Sequence, residues 1–471
     1  MRNLKIQAAV SAALGIAGLA AGGAAQAFPT YAQCIADEGN PAVPKIYLAG
    51  SSAAQNGIQQ SLVNDLFNVY ANVTLFKSSG TVNFQLVCGT AGKANPLVAV
   101  GNDILIYYRA EGGSVAGALP IATTSFGVQG NAPINQLQLA TVPQGACAPD
   151  GTGLNTCAVT VAGVSVTNGP TDSFGPAGVQ KKLVDFGITD VEPGLLGGVN
   201  YPTAYNAAVY GTATPAQLSG LSKAAAFSQA FGFFINNSAF TGGAALDFST
   251  DTIRAVMNGT YTDWNFVPTT SGKPATTTTP ALIYIVNREN GSGSKAATQN
   301  YLYGYGCGAS TGLAPTAASL ADGWATQVAL NEVGGQPGGI TYAGIDNVGK
   351  AANANLANLN GIAPLNLTAA TGSYPFWYEA QYIENPHAYA VNQDGHGTAL
   401  AFRNWVFLAP FELRAIASAP HTAQVSAIPN NGGNTPTANI FGTASTVAGK
   451  TTYISTWTRN SNSCSPLSET N

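Results

Sequence analysis

Asn287-Arg288-Glu289-Asn290-Gly291-Ser292-Gly293-Ser294-Lys295 is the stretch that decides how this chain folds. An apolar, β-branched run precedes it, Ala281-Leu282-Ile283-Tyr284-Ile285-Val286, and reads as a buried strand. Ala296-Ala297-Thr298-Gln299-Asn300-Tyr301-Leu302 follows and reads as the first turns of a helix. The order is therefore strand, Gly/Ser turn, helix. Such a turn directs backbone N–H groups and the positive end of the helix dipole at one spot. With Arg288 and two serine hydroxyls close in sequence, it supplies what a small tetrahedral oxyanion needs: many donors, one fixed positive charge and little bulk. The plainer alternative is an ordinary capped helix start, since Gly/Ser turns often precede helices.

Similar junctions recur to either side. Lys45-Ile46-Tyr47-Leu48-Ala49 predicts a strand running into Gly50-Ser51-Ser52-Ala53-Ala54 and a helix with apolar positions Ile58, Leu62, Leu66 and Val69. Capping alone would account for one of Ser51 and Ser52. Asp103 to Tyr108 predicts another strand, leading to Gly112-Gly113-Ser114-Val115-Ala116-Gly117. Leu183 to Asp190 predicts a third, ending in Thr189-Asp190. In open α/β sheets ligands bind at the carboxyl ends of strands, where all these polar groups fall; a cap or turn role is the alternative for Asp190. Phe231 to Asn237 predicts a further strand. Leu246 to Asn265 holds a helix with Ser249 as its N-cap, Ile253, Val256 and Met257 on one face and Gly259 as its stop. Residues 123–180, rich in Gly, Pro, Thr, Asn and Val, read as a β-rich surface insertion apart from the site.

At 471 residues the chain exceeds what one core usually holds, so two lobes are expected. Charged residues are only 8% and the formal net charge is −4, which argues against a nucleic-acid partner. Residues 1–27 predict an export signal: Arg2 and Lys5, a short apolar core from Ala8 to Ala21, and Ala25-Gln26-Ala27 as cleavage site. Cleavage would take the charge to about −6, and no membrane span is expected afterwards. Six cysteines in an exported chain suggest three disulfides. Cys147 and Cys157, flanking a Pro/Gly-rich turn, are the pair to assign; Cys34, Cys88, Cys307 and Cys464 leave three pairings open. No metal site is expected, because the cysteines lack close spacing and His387, His396 and His421 are scattered.

The run Asp251-Thr252-Ile253-Arg254, Gly259, Thr262, Trp264-Asn265, followed by Arg288, Gly291-Ser292-Gly293 and Ser294, resembles the periplasmic phosphate-binding proteins of ABC-type phosphate importers. Ala49 to Ser52, Gly113 to Gly117, Phe186 to Asp190, Pro337 to Gly344 and Tyr374 to Phe376 resemble weaker blocks of that family in the same order, so the likeness covers about residues 45–425. It implies an α/β, two-lobed periplasmic binding protein of type II with two crossover strands near Phe231 and Tyr374 and a β-rich insertion in the first lobe. After the signal peptide, residues 28–228 and 379–471 with the C-terminal tail would form one lobe, and 229–378 the other.

The resemblance further implies that Arg288 offers its fork to the anion, and that Ser292, Gly293 and Ser294, with Gly291 and Asn290 in the same turn, offer donors at the helix start. Ser51, Ser52 and Ala53 would serve from the first lobe, Ser114 from its second turn, and Asp190 would orient Arg288. Asn290 replaces an Asp or Ser of the family, so phosphate and sulfate would be separated less sharply there. The implied ligand is phosphate or a similar oxyanion, the implied partners are ABC transporter membrane subunits, no cofactor is expected, and the location is the periplasm or the cell surface. Two rivals differ in class. One is a surface protein using the fold for a structural or interaction role. The other is a phosphate-ester hydrolase, against which stands the lack of a histidine base beside a serine.

Overall fold

The computed structural model describes residues 28–469 except 56–65, 68–69, 79–82, 94, 96, 125–127, 150–153, 162–177, 202–211, 242–245, 273, 275, 278, 309–312, 314–325, 405–426, 430–443, 448–449, 455–456 and 460–461. The export signal over 1–27, the helix positions Ile58, Leu62 and Val69, and His421 lie outside the described residues. In chain order the first elements are α1 (Tyr31–Gly39), β1 (Lys45–Gly50), β2 (Val73–Ser78), β3 (Phe84–Thr90), β4 (Asp103–Arg109) and α2 (Ser114–Ala122). Then come β5 (Ile134–Leu137), β6 (Gln144–Pro149), β7 (Asn155–Val159), β8 (Val179–Lys182), β9 (Phe186–Thr189), α3 (Pro215–Ser219) and β10 (Lys223–Asn236). The middle holds β11 (Asp247–Phe248), α4 (Thr250–Met257), β12 (Tyr284–Ile285), α5 (Gly293–Tyr303), α6 (Thr326–Gly335) and β13 (Gly339–Gly344). The remainder comprises β14 (Ala354–Leu356), β15 (Asn358–Leu359), α7 (Asn366–Ala370), β16 (Trp377–Glu384), α8 (Pro386–Val391), α9 (Thr398–Arg403) and short strands β17 to β21 between Ala427 and Glu469.

One mixed sheet organises the molecule. Its order is β12-β13-β10-β16-β9-β1-β4-β3-β2-β7-β6, with β14 also on β10. β1 lies parallel to both β4 and β9, so the carboxyl ends of these three strands open on one side. β10 spans the sheet's middle. Its first part pairs with β16 up to Ala230↔Trp377, and its second part pairs with β13 from Phe231↔Gly344 to Ile235↔Ile340. Here β10 and the approach to β16 touch: Phe231 N–H donates to Phe376 O at 2.9 Å, and Tyr374 hydroxyl donates to Phe231 O at 2.7 Å. The rings of Phe231, Phe233, Tyr301 and Phe376 pack around this crossing, with Tyr301 stacked on Phe376 at 4.4 Å.

Local expectations meet the structure in several places. Ser249 caps α4 by accepting from Thr252 N–H, and Ile253, Val256 and Met257 are buried. Cys147 pairs with Cys157, and the open pairings resolve as Cys34–Cys88 and Cys307–Cys464. The run 281–286 is a strand only at Tyr284–Ile285, because Ala281 O and Ile283 N–H bond Trp264 and Thr262 instead of a neighbouring strand. The segment 123–180 is more than a surface addition. β7 pairs with β2 at the edge of the main sheet, Gln136 donates to Leu48 O at 3.2 Å, and Ile134, Leu137 and Leu139 are buried. Among the described residues no helix is long and apolar enough to cross a membrane, and no group of three or more His, Cys, Asp or Glu is placed to hold a metal.

Candidate functional site

The site is built by the ends of β1, β9 and β12 and the starts of α2 and α5. At the end of β1, Ser51 N–H donates to Ile188 O of β9 at 2.8 Å. The two strands approach so closely that Gly50 has no room for a Cβ beside Ile188 O. This contact brings Ser51 Oγ onto Asp190 Oδ1 as a short hydrogen bond, while Ser51 Oγ also accepts from Ala54 N–H at 2.8 Å. Asp190 N–H donates to Ser114 Oγ at 3.1 Å, joining the end of β9 to the start of α2.

From the other side, β12 and β13 hold the arginine. Val286 N–H donates to Ile340 O at 2.9 Å, Thr341 Oγ1 donates to Val286 O at 2.7 Å, and Arg288 N–H donates to Tyr342 hydroxyl at 3.2 Å. The turn that follows crosses to the first set of elements. Val115 N–H donates to Gly291 O at 3.0 Å, and Gly291 N–H donates to Asn200 O at 2.7 Å. Ser292 Oγ caps α5 by accepting from Lys295 N–H at 3.3 Å. Gly293, the first residue of α5, sits directly on Ser114 Oγ and the Asp190 carboxylate, and any Cβ there would overlap both. A glycine at this point is therefore a packing requirement for the helix start to face Asp190.

The sequence-predicted residues fall into three groups. Ser51, Ser114, Asp190, Gly291, Ser292 and Gly293 form the buried junction just described, with Arg288, itself 2% exposed, beside it. Ser294 is buried in the first turn of α5, where its carbonyl accepts from Thr298 Oγ1 at 2.8 Å. Ser52 and Ala53 stand in the wall of an adjoining cavity of about 370 Å³. Asn290 turns to Lys295, whose Nζ donates to Asn290 Oδ1 at 2.9 Å.

Four residues that sequence reasoning did not single out complete the surroundings. Glu289 Oε1 lies 3.5 Å from Arg288 Nη2, so the arginine forms an ion pair with its neighbour. Lys295 is buried beside Asn290, Asn200 holds the turn from below, and Tyr342 holds the arginine backbone. Glu289 and Lys295 stood inside the decisive stretch and carried the signal of charge. Asn200 stood in an unpatterned loop and carried none.

The electrostatics follow from burial. Desolvation pushes the Asp190 carboxyl up to about 6, against the opposing pull of the Ser51 hydrogen bond and the Arg288 charge. Desolvation likewise raises Glu289 to about 7, Arg288 opposing it and Glu111 adding to it. A carboxyl near neutrality beside an arginine and a helix start either accepts or donates a hydrogen bond, which suits an anion that itself carries a proton.

Residues 222–410 match the family model described as a PBP superfamily domain. No curated protein matches the chain. Among solved structures it is similar to a candidate phosphate ABC transporter substrate-binding protein with bound phosphate from Clostridium perfringens, at 14% identity over 50% of this chain and 77% of that one, TM-score 0.33. It is also similar to an ABC-type phosphate transport receptor from Vibrio cholerae, at 11% identity over 46% and 74%, TM-score 0.30. A high-affinity periplasmic phosphate-binding protein, PfluDING, bound with phosphate, matches at 18% identity over 45% and 68%, TM-score 0.31. Likenesses this partial carry no weight for the ligand. Residues 222–410 are thus similar to a PBP superfamily domain, and β10, β12, β13, β14 and β16 among them belong to the large sheet of a mixed α/β fold of the periplasmic-binding-protein kind.

Proposed function

We propose that this chain is an exported solute-binding protein that captures a tetrahedral oxyanion, phosphate first, for import by an ABC transporter. The observation that carries the reading is the junction itself: Ser51, Ser114 and Asp190 from strand ends meet the start of α5 and Arg288 in a buried setting. Hydroxyls, a helix start, a buried arginine and a carboxyl near neutrality gathered in one place are the groups with which a small protonated oxyanion would be held. In this reading the elements up to about residue 228 and those after 378 make one lobe, residues 229–378 make the other, and the two open about β10 and β16 where Phe231 meets Phe376. Capture then needs no bond making, and the energy of transport comes from partner subunits.

The test is calorimetric titration of the mature chain, unfolded and refolded to strip ligand, with phosphate and with sulfate. Saturable phosphate binding is expected. Arg288→Ala should weaken it by about a hundredfold or more, the loss of one or two charge-assisted hydrogen bonds. A folded chain that gives no heat with either anion would refute the reading.

A further inference from the structure

Beside the oxyanion junction lies the cavity of about 370 Å³, several times the bulk of a phosphate and within the range of small organic ligands. Its wall continues the junction: Ser52 and Ala53 follow Ser51, Gly113 precedes Ser114, and Glu289 follows Arg288. Gly113 stands at the seam, where a Cβ would meet Gly291 O at 3.5 Å and Ser292 Cα at 3.6 Å. A substituent on an oxyanion held at the junction therefore has an adjoining space to enter.

The make-up of the wall narrows the class of that substituent. Its apolar side chains are Ala53, Ala110 and Val328, and among the described residues no aromatic ring lines it. A nucleobase would find no ring to stack on, and an acyl chain little to bury against. Charge favours neither sign. The Glu111 carboxylate and the Lys350 ammonium both belong to the wall, and Glu289 is engaged with Arg288. Glu111 accepts from Asn83 N–H at 3.0 Å, and Lys350 Nζ donates to Asn347 Oδ1 at 2.9 Å.

Most of what remains is amide and hydroxyl, from elements on both sides of β10 in the chain: Ser52, Gln55 and Asn83 before it, Gln327 and Asn331 after it. Gln55 Oε1 accepts from Gln85 Nε2 at 3.2 Å, and Asn331 Oδ1 accepts from Gln327 Nε2 at 2.9 Å. Both side chains then have amide N–H groups to offer, while Glu111 offers acceptors. The group that answers donors and acceptors together without bringing charge is a hydroxyl.

Resting on the oxyanion reading above, we propose that the preferred ligand is a phosphate monoester with a short, uncharged, hydroxylated tail. Its oxyanion lies at Arg288 and the start of α5, and its hydroxyls lie in the cavity against Gln55, Asn83, Glu111 and Asn331.

Calorimetry on the ligand-stripped mature chain tests this with inorganic phosphate, propyl phosphate and glycerol 3-phosphate, the two esters sharing a three-carbon tail. Glycerol 3-phosphate should bind at least about tenfold more tightly than propyl phosphate, the size of two neutral hydrogen bonds, and more tightly than inorganic phosphate. Asn331 is exposed, and Asn83 bonds Ala110 and Glu111 through its backbone, so truncating either side chain should leave the fold intact. Asn331→Ala and Asn83→Ala should each narrow the ratio of the two ester affinities by about threefold or more. A ratio that neither variant moves places the tail elsewhere and overturns the proposal. Glycerol 3-phosphate that binds no more tightly than propyl phosphate, or less tightly than inorganic phosphate, also overturns it, while inorganic phosphate binding upholds the oxyanion reading. Silence with all three compounds overturns both.

Discussion

Asp190 is where sequence, burial and chemistry meet at the scale of one residue. Its carboxyl is held by Ser51 and faced by Gly293, yet burial still dominates and lifts it from the usual 3.8 to about 6. A carboxyl whose folded value is raised binds its proton more tightly in the native state, so stability is greatest below the unfolded value and falls as pH rises towards the folded one. Between about pH 4 and 6 Asp190 alone should remove up to about 3 kcal/mol from the ligand-free protein. Asp185 and Glu289, both raised to about 7 by burial, tilt the curve in the same direction. The contribution of Asp190 is therefore read as a difference. Urea unfolding of the ligand-free wild type and of Asp190→Asn should show stabilities that converge at pH 4 and separate in favour of the variant at pH 8. A parallel pair of curves would assign the proton elsewhere.

At the scale of elements, α5 explains both what was legible beforehand and what was not. Its presence could be read from the Gly/Ser turn after a strand; it starts at Gly293, with Ser292 accepting from Lys295 N–H as its cap. Its environment could not. Nine of its residues are buried, among them Thr298, Gln299 and Asn300, and a polar sequence gives no apolar stripe from which to predict a helix enclosed on most sides. The partners come from far away: Gln299 Nε2 donates to Asn200 Oδ1 at 2.8 Å, and Tyr378 hydroxyl donates to Asn300 Oδ1 at 2.7 Å. The same limit applies to β10. Phe231 to Asn237 announced itself by its aromatic and β-branched residues, whereas the stretch from Lys223 to Ala230 is strand only because β16 pairs with it. Likewise Asp190 and Ser114 were visible as polar ends of strands, but their meeting with Gly293 is a product of sheet order. The helix's polar contacts can be weighed one at a time. Tyr378→Phe keeps the ring on Phe231 and strips the donor from buried Asn300, which should cost about 1–3 kcal/mol in urea unfolding. A loss below about 0.5 kcal/mol would mean that the Asn300 carbonyl finds another donor.

At the scale of the molecule, the C-terminal segment acts as a strap across the crossover. β20 (Trp457–Thr458) pairs with β21 (Ser468–Glu469), and between them Arg459 is buried against β16: its Nε donates to Trp377 O at 3.1 Å, its Nη2 to Pro375 O at 3.0 Å, and its guanidinium lies 4.6 Å over the Tyr378 ring. Glu379 accepts from Arg459 N–H at 3.0 Å and from Thr458 hydroxyl. The strap then reaches both sides of the candidate site. Ser463 N–H donates to Glu192 Oε2, and Glu192 N–H to Ser463 Oγ, each at 3.0 Å, two residues beyond Asp190. Cys464 is bonded to Cys307, just past the end of α5. A tail so placed couples the loop after β9 to α5. Because the Cys307–Cys464 bridge closes a separation of 157 residues, its removal should lower stability by roughly 2–5 kcal/mol. Its effect on binding distinguishes a strap from a mere staple. If the bridge restrains opening about β10 and β16, the paired substitution Cys307→Ser with Cys464→Ser should raise phosphate association and dissociation rates together, seen by stopped-flow, with a smaller change in Kd. Rates that stay fixed while unfolding becomes easier would confine the bridge to holding the fold.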